Sequence, residues 1–145
     1  MQVRDGMSPT ILQIGPNHTL RQAARLMTQR RVGAAVVLDA DSHGPTILTE
    51  RDILGSVAQG QDPDQERAGD HLTRDVVYAS PDWSLQEAAL AMLRGGFRHL
   101  IIMEGPEMVG MLSMRDIVRV WADSSAQAAD TQAAGVGAAG VGSQA

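Results

Sequence analysis

Apolar side chains recur along the chain with the period of an amphipathic helix, and they do so twice. In each run they occupy positions i, i+3, i+4 and i+7. The residues are Leu20, Ala23, Ala24 and Met27 in the first run, and Leu85, Ala88, Ala89 and Met92 in the second. A hydroxyl residue, Thr19 or Ser84, precedes each run and predicts the N-cap of a helix.

The likeness between the two halves of the chain extends beyond these helices. Asp70 and Met92 lie 65 residues after Asp5 and Met27. One residue is then lost in a turn, and Asp116 lies 64 residues after Asp52. Matches that keep one register, and resume after a turn deletion, indicate an internal duplication.

Each copy predicts the element order β-α-β-β-α. The third strand runs directly into the second helix, and turns are expected at 39–44 and 104–107. The predicted strands are Ile11–Leu12, Ala34–Leu38 and Thr46–Leu48, then Val76–Tyr78, Leu100–Met103 and Val109–Leu112. A unit of this size cannot cover both faces of its sheet. The predicted fold class is therefore α/β (α+β), with two repeats packed about a pseudo-twofold axis and a cleft along it.

The same patterns predict the domain boundaries. The first repeat spans 3–60, a polar linker spans 61–69, and the second repeat spans 70–122. Residues 123–145 are rich in alanine and glycine and nearly lack large apolar side chains. Such a segment cannot offset the entropy of its own ordering, so we expect a disordered tail with at most some nascent helix near Ala126.

The amino-acid composition excludes several classes of reaction and partner. The net charge is −5 and all twelve cationic residues are arginine, so nucleic acid is not an expected partner. The absence of lysine excludes Schiff-base chemistry and a P-loop, and the absence of cysteine excludes thiol nucleophiles. The four histidines show no metal-ligand spacing, and no serine lies in a nucleophile elbow. We therefore expect a non-catalytic protein without a metal.

Membrane association is not expected either. No apolar run approaches the ~18 residues of a membrane span. The first five residues lack the apolar core of a signal peptide. These features predict a soluble cytoplasmic protein.

Three short motifs add a family resemblance. Thr49-x-x-Asp52 and Ser113-x-x-Asp116 each follow a predicted strand and open a helix, and the segment 97–102 reads Phe-Arg-His-Leu-Ile-Ile. Together with the duplication, they resemble a tandem pair of CBS domains (a Bateman module) over residues 3–122. A pair with nothing attached is similar to small bacterial stress-associated CBS proteins. The resemblance implies a regulatory module that binds an adenine nucleotide (AMP, ADP or ATP) between its repeats.

The two hydroxyl–acid motifs can also be interpreted from their residues. Helix capping alone is the simplest interpretation. However, the motif occurs twice beside the expected cleft, where the N–H groups of a helix start attract phosphate. Thr49 and Ser113 can donate a hydrogen bond to phosphate, and Asp52 and Asp116 can accept hydrogen bonds from the two hydroxyls of a ribose.

Arginine and histidine make the two repeats unequal. Arg51 and Arg115 lie in the first turns of the same helices and are either solvated surface charges or phosphate ligands. Arg98 and His99 have Gly33–Ala34 as their first-repeat equivalents, which offer no side-chain donor. We therefore predict two unequal half-sites, with a phosphorylated ligand favouring the one that receives Arg98 and His99, the segment that the resemblance places at the ligand phosphates.

An adenine ring requires an apolar slot. Candidates on the predicted strands are Ile11, Val77, Tyr78 and Met111, although ordinary core packing is the alternative for each. Tyr78 is the only tyrosine of the chain.

The resemblance also predicts the assembly. CBS pairs associate through their helices, so we expect a homodimer that buries the apolar helix faces containing Met27 and Met92. The nucleotide would be a regulatory ligand, and no obligatory cofactor is expected. The alternative is a ligand-independent dimeric scaffold whose output is binding to another, unidentified protein. In that case, loss of Asp52 or Asp116 would cause small capping losses only.

Overall fold

The computed structural model describes residues 1–39 and 44–143, with side chains through residue 134, and contains two copies of one unit. Helix α1 (Val3–Gly6) precedes the first unit, and a short 3-10 helix (Ala68–Asp70) precedes the second. The first unit comprises β1 (Gln13–Ile14), α2 (Leu20–Arg30), β2 (Ala34–Val37), β3 (Thr46–Thr49) and α3 (Glu50–Ala58). The second comprises β4 (Tyr78–Ala79), α4 (Leu85–Gly95), β5 (His99–Glu104), β6 (Glu107–Ser113) and α5 (Met114–Ser143).

Each unit has a three-stranded sheet with the same topology. The first strand is parallel to the second, and the second is antiparallel to the third. Val36 lies opposite Gln13 and Ile47, and its counterpart Ile101 lies opposite Tyr78 and Met111. The predicted β-α-β-β-α order and mixed α/β fold class are thereby confirmed.

The turns and first strands depart slightly from the sequence expectations. Strands β1 and β4 begin two residues later than predicted, although the Leu12 carbonyl still accepts a hydrogen bond from Val36 N at 2.8 Å. The second predicted turn contains Gly105 at a φ of 58°, a conformation that glycine adopts at low cost. Most of the turn predicted over 39–44 lies outside the described residues.

Helices α2 and α4 begin where the sequence predicted. The Thr19 side chain accepts a hydrogen bond from Gln22 N, and the Ser84 side chain accepts one from Glu87 N. In each case the residue at the third helical position bonds back to the cap, which completes a capping box. Each cap contributes about 1 kcal/mol to helix stability.

The segment that leads into each repeat packs on the other repeat. Val3 is fully buried in the core of the second unit, and its N–H donates to the Trp83 carbonyl at 2.7 Å. Conversely, Ala68 is fully buried in the core of the first unit, where its N–H donates to the His18 carbonyl at 2.8 Å. This exchange places residues after the 3-10 helix beside β3 and thus shapes the cleft between the repeats.

The two sheets pack face to face through a third apolar cluster. Val36, Ile47 and Ile101 form its buried centre. Partly buried neighbours surround it: Ile11, Val76, Met103, Met108 and Met111. The sheet-to-sheet packing predicted from the duplication is therefore present.

Glycine is required where the exchanged N-terminal segment meets the second sheet. Ser8 and Met111 exchange two backbone hydrogen bonds of 2.9 and 3.0 Å. A Cβ added at Gly110 would lie 2.8 Å from the Ser8 carbonyl oxygen. The close approach of two backbones thus explains a glycine inside strand β6.

The helix faces that the sequence predicted to contact a second chain pack inside their own repeats instead. Met27 and Met92 are only 5% and 1% exposed and lie in the cores of their own repeats. The small side chains of Ala23 and Ala88 allow each helix to approach its sheet closely, so the sheet itself covers these methionines. The helices expose other apolar residues: Leu54 and Val57 of α3, Leu90 and Leu93 of α4, and Val118 and Trp121 of α5.

The last helix leads from the second repeat into the alanine-rich C-terminal segment. Helix α5 continues through Ser143, and only residues 144–145 lie outside the described part. Alanine has the highest helix propensity, and extending an existing helix avoids the cost of nucleation. Despite its length, α5 is not apolar enough to cross a membrane, and neither is any other helix in the described part.

Candidate functional site

An open cleft of about 960 Å³ lies between the repeats. It is bounded by the start of α3, the segment after the 3-10 helix, and the turn that leads from α4 into β5. Three arginines and three carboxylates line it: Arg51, Arg74, Arg98, Glu50, Asp52 and Asp75. Because the charges balance, the position of each charge, rather than the sum, decides what this cleft attracts.

Asp52 is held by hydrogen bonds at the edge of the cleft. Its Oδ2 accepts from Thr49 N at 2.8 Å and from Thr49 Oγ1 at 3.0 Å. The same oxygen accepts from Thr73 Oγ1 at 2.7 Å. Thr73 belongs to the segment after the 3-10 helix, so Asp52 links the start of α3 to the chain that enters the second repeat.

Thr49 forms the expected cap, with its hydroxyl already engaged. Its Oγ1 accepts from Asp52 N at 3.3 Å while it donates to the Asp52 carboxylate. The capping box of α3 is therefore complete. For Thr49 to donate to a phosphate instead, its hydroxyl would have to turn away from Asp52.

The opposite wall of the cleft is built on a glycine pair. Gly96 has a φ of 70° and ends helix α4 in the left-handed conformation. A Cβ added at Gly95 would overlap the Phe97 ring, so the absence of a side chain allows Phe97 to fold back onto the helix end. Arg51 reaches across from α3 and donates to the Gly96 carbonyl at 2.9 Å.

Arg98 and His99 follow on the same wall. Arg98 is exposed, whereas His99 is partly buried at the start of β5. Burial lowers the pKa of His99, which the negative charges of Glu50 and Asp116 oppose and the positive charge of Arg98 reinforces. His99 is therefore neutral at pH 7 and can donate one ring N–H.

The second motif lies outside the lining of this cleft. Asp116 Oδ2 accepts from Ser113 N at 2.8 Å, and Ser113 Oγ accepts from Asp116 N at 3.1 Å. Asp116 Oδ1 accepts from Arg119 Nη1 at 3.0 Å, and Arg119 Nη2 donates to the Gly6 carbonyl at 3.3 Å. The Asp116 side chain is only 15% exposed, so it is not a solvated surface carboxylate.

Comparison with known proteins identifies the family. The sequence matches the CBS domain over residues 2–59 and again over 68–123. The chain belongs to the CBS-domain family. It contains two CBS domains in tandem, as the sequence resemblance predicted.

Relatives of this CBS pair include proteins of similar length. It is 33% identical over 131 residues to the CBS domain-containing protein YhcV of Bacillus subtilis, covering 89% of this chain and 92% of YhcV. It is 29% identical over 117 residues to hypoxic response protein 1 of Mycobacterium tuberculosis, covering 80% and 82%. The solved CBS domain protein PAE2072 from Pyrobaculum aerophilum, complexed with AMP, superposes with a TM-score of 0.70 at 28% identity over 80% of this chain and 89% of that one.

Other relatives are longer. The chain spans about half (48%) of the uncharacterized protein MJ1225 of Methanocaldococcus jannaschii, at 26% identity. It spans 66% of a 17.7 kDa protein of Acidianus ambivalens, at 35% identity. The CBS pair is thus a unit that also occurs within larger chains.

The structure divides the predicted site residues of the CBS pair into two groups. Those that line the cleft are Thr49, Arg51, Asp52, Val77, Arg98 and His99. Those outside its lining are Ile11, Tyr78, Met111, Ser113, Arg115 and Asp116. Arg98 and His99 therefore share a half-site with Asp52 of the other repeat.

Three of the candidates for the adenine slot serve the fold. Ile11 and Met111 belong to the sheet-to-sheet cluster. The Tyr78 hydroxyl donates to the Pro45 carbonyl at 2.6 Å and ties β4 to the first repeat. Val77 alone of the four lines the cleft.

Several lining residues were not among the sequence candidates. They include Glu50, Leu54, Leu72, Thr73, Arg74, Asp75 and Phe97. A signal for Thr73 exists in the repeat register, which pairs this hydroxyl residue with Ser8. Arg74 pairs with Pro9 and gives no such signal. In the described residues, no group of His, Asp and Glu could hold a metal ion.

Proposed function

We propose that this CBS pair is a non-catalytic sensor that binds an adenine nucleotide in the cleft beside Asp52. The observation that carries the proposal is the position of this carboxylate. Asp52 lies at the cleft, fixed through Oδ2 by Thr49 and Thr73. Arginine and histidine lie on the opposite wall.

The ribose is the part of the nucleotide that suits Asp52. All the hydrogen bonds described for this carboxylate fall on Oδ2, so Oδ1 can accept from a vicinal hydroxyl. A carboxylate repels a phosphate at hydrogen-bond range, which excludes the opposite orientation. Hydrogen bonds to a charged acceptor contribute about 1.5–3 kcal/mol each.

The phosphates fit the arginine side of the cleft. Arg98 is exposed beside the neutral His99, and Arg74 lines the cleft next to Thr73. An arginine fork binds phosphate oxygens bidentately. Because the Thr49 hydroxyl is engaged by Asp52, these arginines, rather than the helix cap, are the primary phosphate ligands in the proposal.

The adenine ring requires flat apolar surface between these polar ends. The lining supplies it in Leu54, Leu72, Val77 and Phe97. Phe97 is the only phenylalanine of the chain and rests on the glycine pair at the end of α4. Stacking on an aromatic ring adds about 0.5–1.5 kcal/mol beyond burial.

Two relatives support this function. PAE2072, which is 28% identical, was solved with AMP. Hypoxic response protein 1, which is 29% identical, is named for a response to a stress. On the basis of this similarity, we extend the proposal to a regulatory role under stress in the cytoplasm. A mononucleotide of roughly 23 heavy atoms at about −0.3 kcal/mol per atom gives an affinity near 10 µM.

Thermal unfolding with a nucleotide panel tests the proposal. AMP, ADP, ATP and S-adenosylmethionine are added separately to the wild type and to the variants Asp52→Asn and Arg98→Met. A ligand at a hundredfold excess over its dissociation constant stabilises the folded chain by about 2.7 kcal/mol. We expect this stabilisation in the wild type, a loss in both variants, and no change in Arg25→Met, an exposed arginine on α2. Unchanged melting of the wild type with all four ligands at millimolar concentration would refute the proposal.

We also propose that the partner of this CBS pair is a second copy of the chain. The final helix of each repeat exposes apolar side chains, including Val57 at 52% and Trp121 at 66%. Exposed apolar faces of this kind lower the solubility of a protein unless another protein surface covers them. Sedimentation should show a dimer that dissociates in Trp121→Glu but persists in Arg25→Met. A monomeric wild type at micromolar concentration would contradict this assignment.

A further inference from the structure

We propose that Arg119 takes the place of a ligand in the second half-site, so that the chain binds nucleotide at the Asp52 half-site only. The inference rests on the proposed function and assigns its stoichiometry. It follows from one pair of equivalent positions, Gly55 and Arg119, each three residues after the aspartate of its motif.

In the second repeat, the chain satisfies both oxygens of the aspartate. Asp116 Oδ2 accepts from Ser113 N at 2.8 Å, and Oδ1 accepts from Arg119 Nη1 at 3.0 Å. The other guanidinium nitrogen of Arg119 donates to the Gly6 carbonyl at 3.3 Å. A ribose hydroxyl that approaches Asp116 Oδ1 would therefore compete with the bond from Arg119 Nη1 and with the cation that balances the carboxylate.

In the first repeat, the position equivalent to Arg119 is a glycine and offers no side chain. Gly55 lies on the exposed face of α3, and a Cβ added there would meet nothing within 4 Å. All three hydrogen bonds described for the Asp52 carboxylate fall on Oδ2. Among the described contacts none reaches Oδ1, so this oxygen is available to a hydroxyl of the ligand.

The equivalent hydroxyl residues Thr73 and Ser8 also differ between the repeats, because only Thr73 bonds the aspartate. Thr73 donates to Asp52 at 2.7 Å, whereas its equivalent, Ser8, donates to the Thr10 carbonyl at 3.0 Å. The first aspartate is thus oriented by neutral hydroxyl and amide donors, which bring no positive charge into direct contact with it. The second is neutralised by a cation.

Arg119 acts through a partly exposed ion pair, and such pairs are weak individually. Arg119 therefore acts by competition. Because it belongs to the chain, it is present at a high effective concentration, and it opposes the binding of a soluble ligand to Asp116. Removing it should open the second half-site without creating a strong site. Gly33–Ala34 there replace the Arg98–His99 pair.

Calorimetric titration with AMP and with ATP tests the inference in reciprocal variants. We expect the wild type to bind one nucleotide per chain, and Arg119→Met to gain a second, weaker site. Gly55→Arg should weaken the first site by about tenfold or more, which corresponds to about 1.4 kcal/mol. Gly55→Ala is the matched control and should bind as the wild type does. Both substitutions remove a helical glycine and stabilise α3, so unfolding cannot explain weaker binding by Gly55→Arg.

Substitution of the second aspartate completes the design. Asp116→Asn should leave nucleotide binding unchanged in the wild-type background and should abolish the additional site in the Arg119→Met background. Arg25→Met, an exposed arginine on α2, controls for the loss of a positive charge.

Each contrary outcome has a distinct meaning. Two nucleotides per wild-type chain, or weaker wild-type binding after Asp116→Asn, would overturn the role of Arg119 while leaving the proposed function intact. A single site in Arg119→Met would also overturn it. If neither AMP nor ATP bound to the wild type or to any variant, the proposed function itself would be refuted, and this inference with it.

Discussion

The two equivalent aspartates should differ measurably in their contribution to stability. Asp52→Ala removes a capping interaction worth about 0.5–2 kcal/mol. It also leaves Thr73 Oγ1 without its 2.7 Å bond to a charged acceptor, a kind of bond worth about 1.5–3 kcal/mol. Allowing for incomplete additivity, we expect Asp52→Ala to lower the free energy of unfolding by roughly 2–4 kcal/mol.

Asp116→Ala should cost less. Its cap is equivalent, but its second partner is the exposed Arg119, in a pair worth roughly 0.2–1 kcal/mol. The expected loss is about 1–2 kcal/mol. The difference between the two aspartates therefore measures the link that Asp52 makes to the segment entering the second repeat.

Urea unfolding of a double-mutant cycle isolates that link. Thr73→Val keeps the shape of the side chain and removes its donor, while the Thr73 N–H still bonds the Ile47 carbonyl at 3.0 Å. We expect a coupling energy of at least about 1 kcal/mol between Asp52→Ala and Thr73→Val. Additive effects within about 0.3 kcal/mol, or equal losses for Asp52→Ala and Asp116→Ala, would refute this interpretation of the contact.

Two further predictions concern packing and pH. Gly110→Ala should lower the free energy of unfolding by roughly 1–3 kcal/mol, because its Cβ would lie 2.8 Å from the Ser8 carbonyl oxygen; wild-type stability in urea would contradict this. Burial holds the pKa of folded His99 below about 6.5, so as pH falls the unfolded chain takes up the proton first. The stabilisation from neutral His99 is therefore complete above about pH 6.5 and declines as pH falls toward the folded pKa. His99→Asn should flatten this part of the stability–pH curve, and parallel curves for variant and wild type would show that His99 is not its source.

The sequence predicted the features that depend on local pattern. Helix periodicity and the caps at Thr19, Ser84 and Thr49 act within one turn of the chain, so they are readable from adjacent residues. The duplication then allowed the topology to be predicted, because each copy independently indicates the same order of strands and helices. Asp52 was identifiable for the same reason, as one of two equivalent acids at a helix start.

Features that depend on which surfaces meet were not predictable in the same way. The repeat register shows that Val3 and Ala68 are equivalent, but not that each segment packs on the opposite repeat. That exchange brings Thr73 to Asp52. The burial of Met27 likewise depends on how closely its helix approaches the sheet, a tertiary distance that periodicity does not encode.

The proposed difference between the two aspartates depends mainly on one unequal pair of positions. Gly55 and Arg119 differ in the sequence, but the consequence appears only when the guanidinium is seen between Asp116 and the Gly6 carbonyl. Tyr78 is a similar case, since its hydroxyl bonds a carbonyl of the other repeat.

The position of a bound nucleotide tests the sensing function most directly. A crystal structure of the chain grown with millimolar AMP should show the ribose hydroxyls within hydrogen-bond distance of Asp52 Oδ1 and the phosphate against Arg98. A nucleotide seated beside Asp116, or crystals in which the cleft at Asp52 holds no AMP, would contradict it.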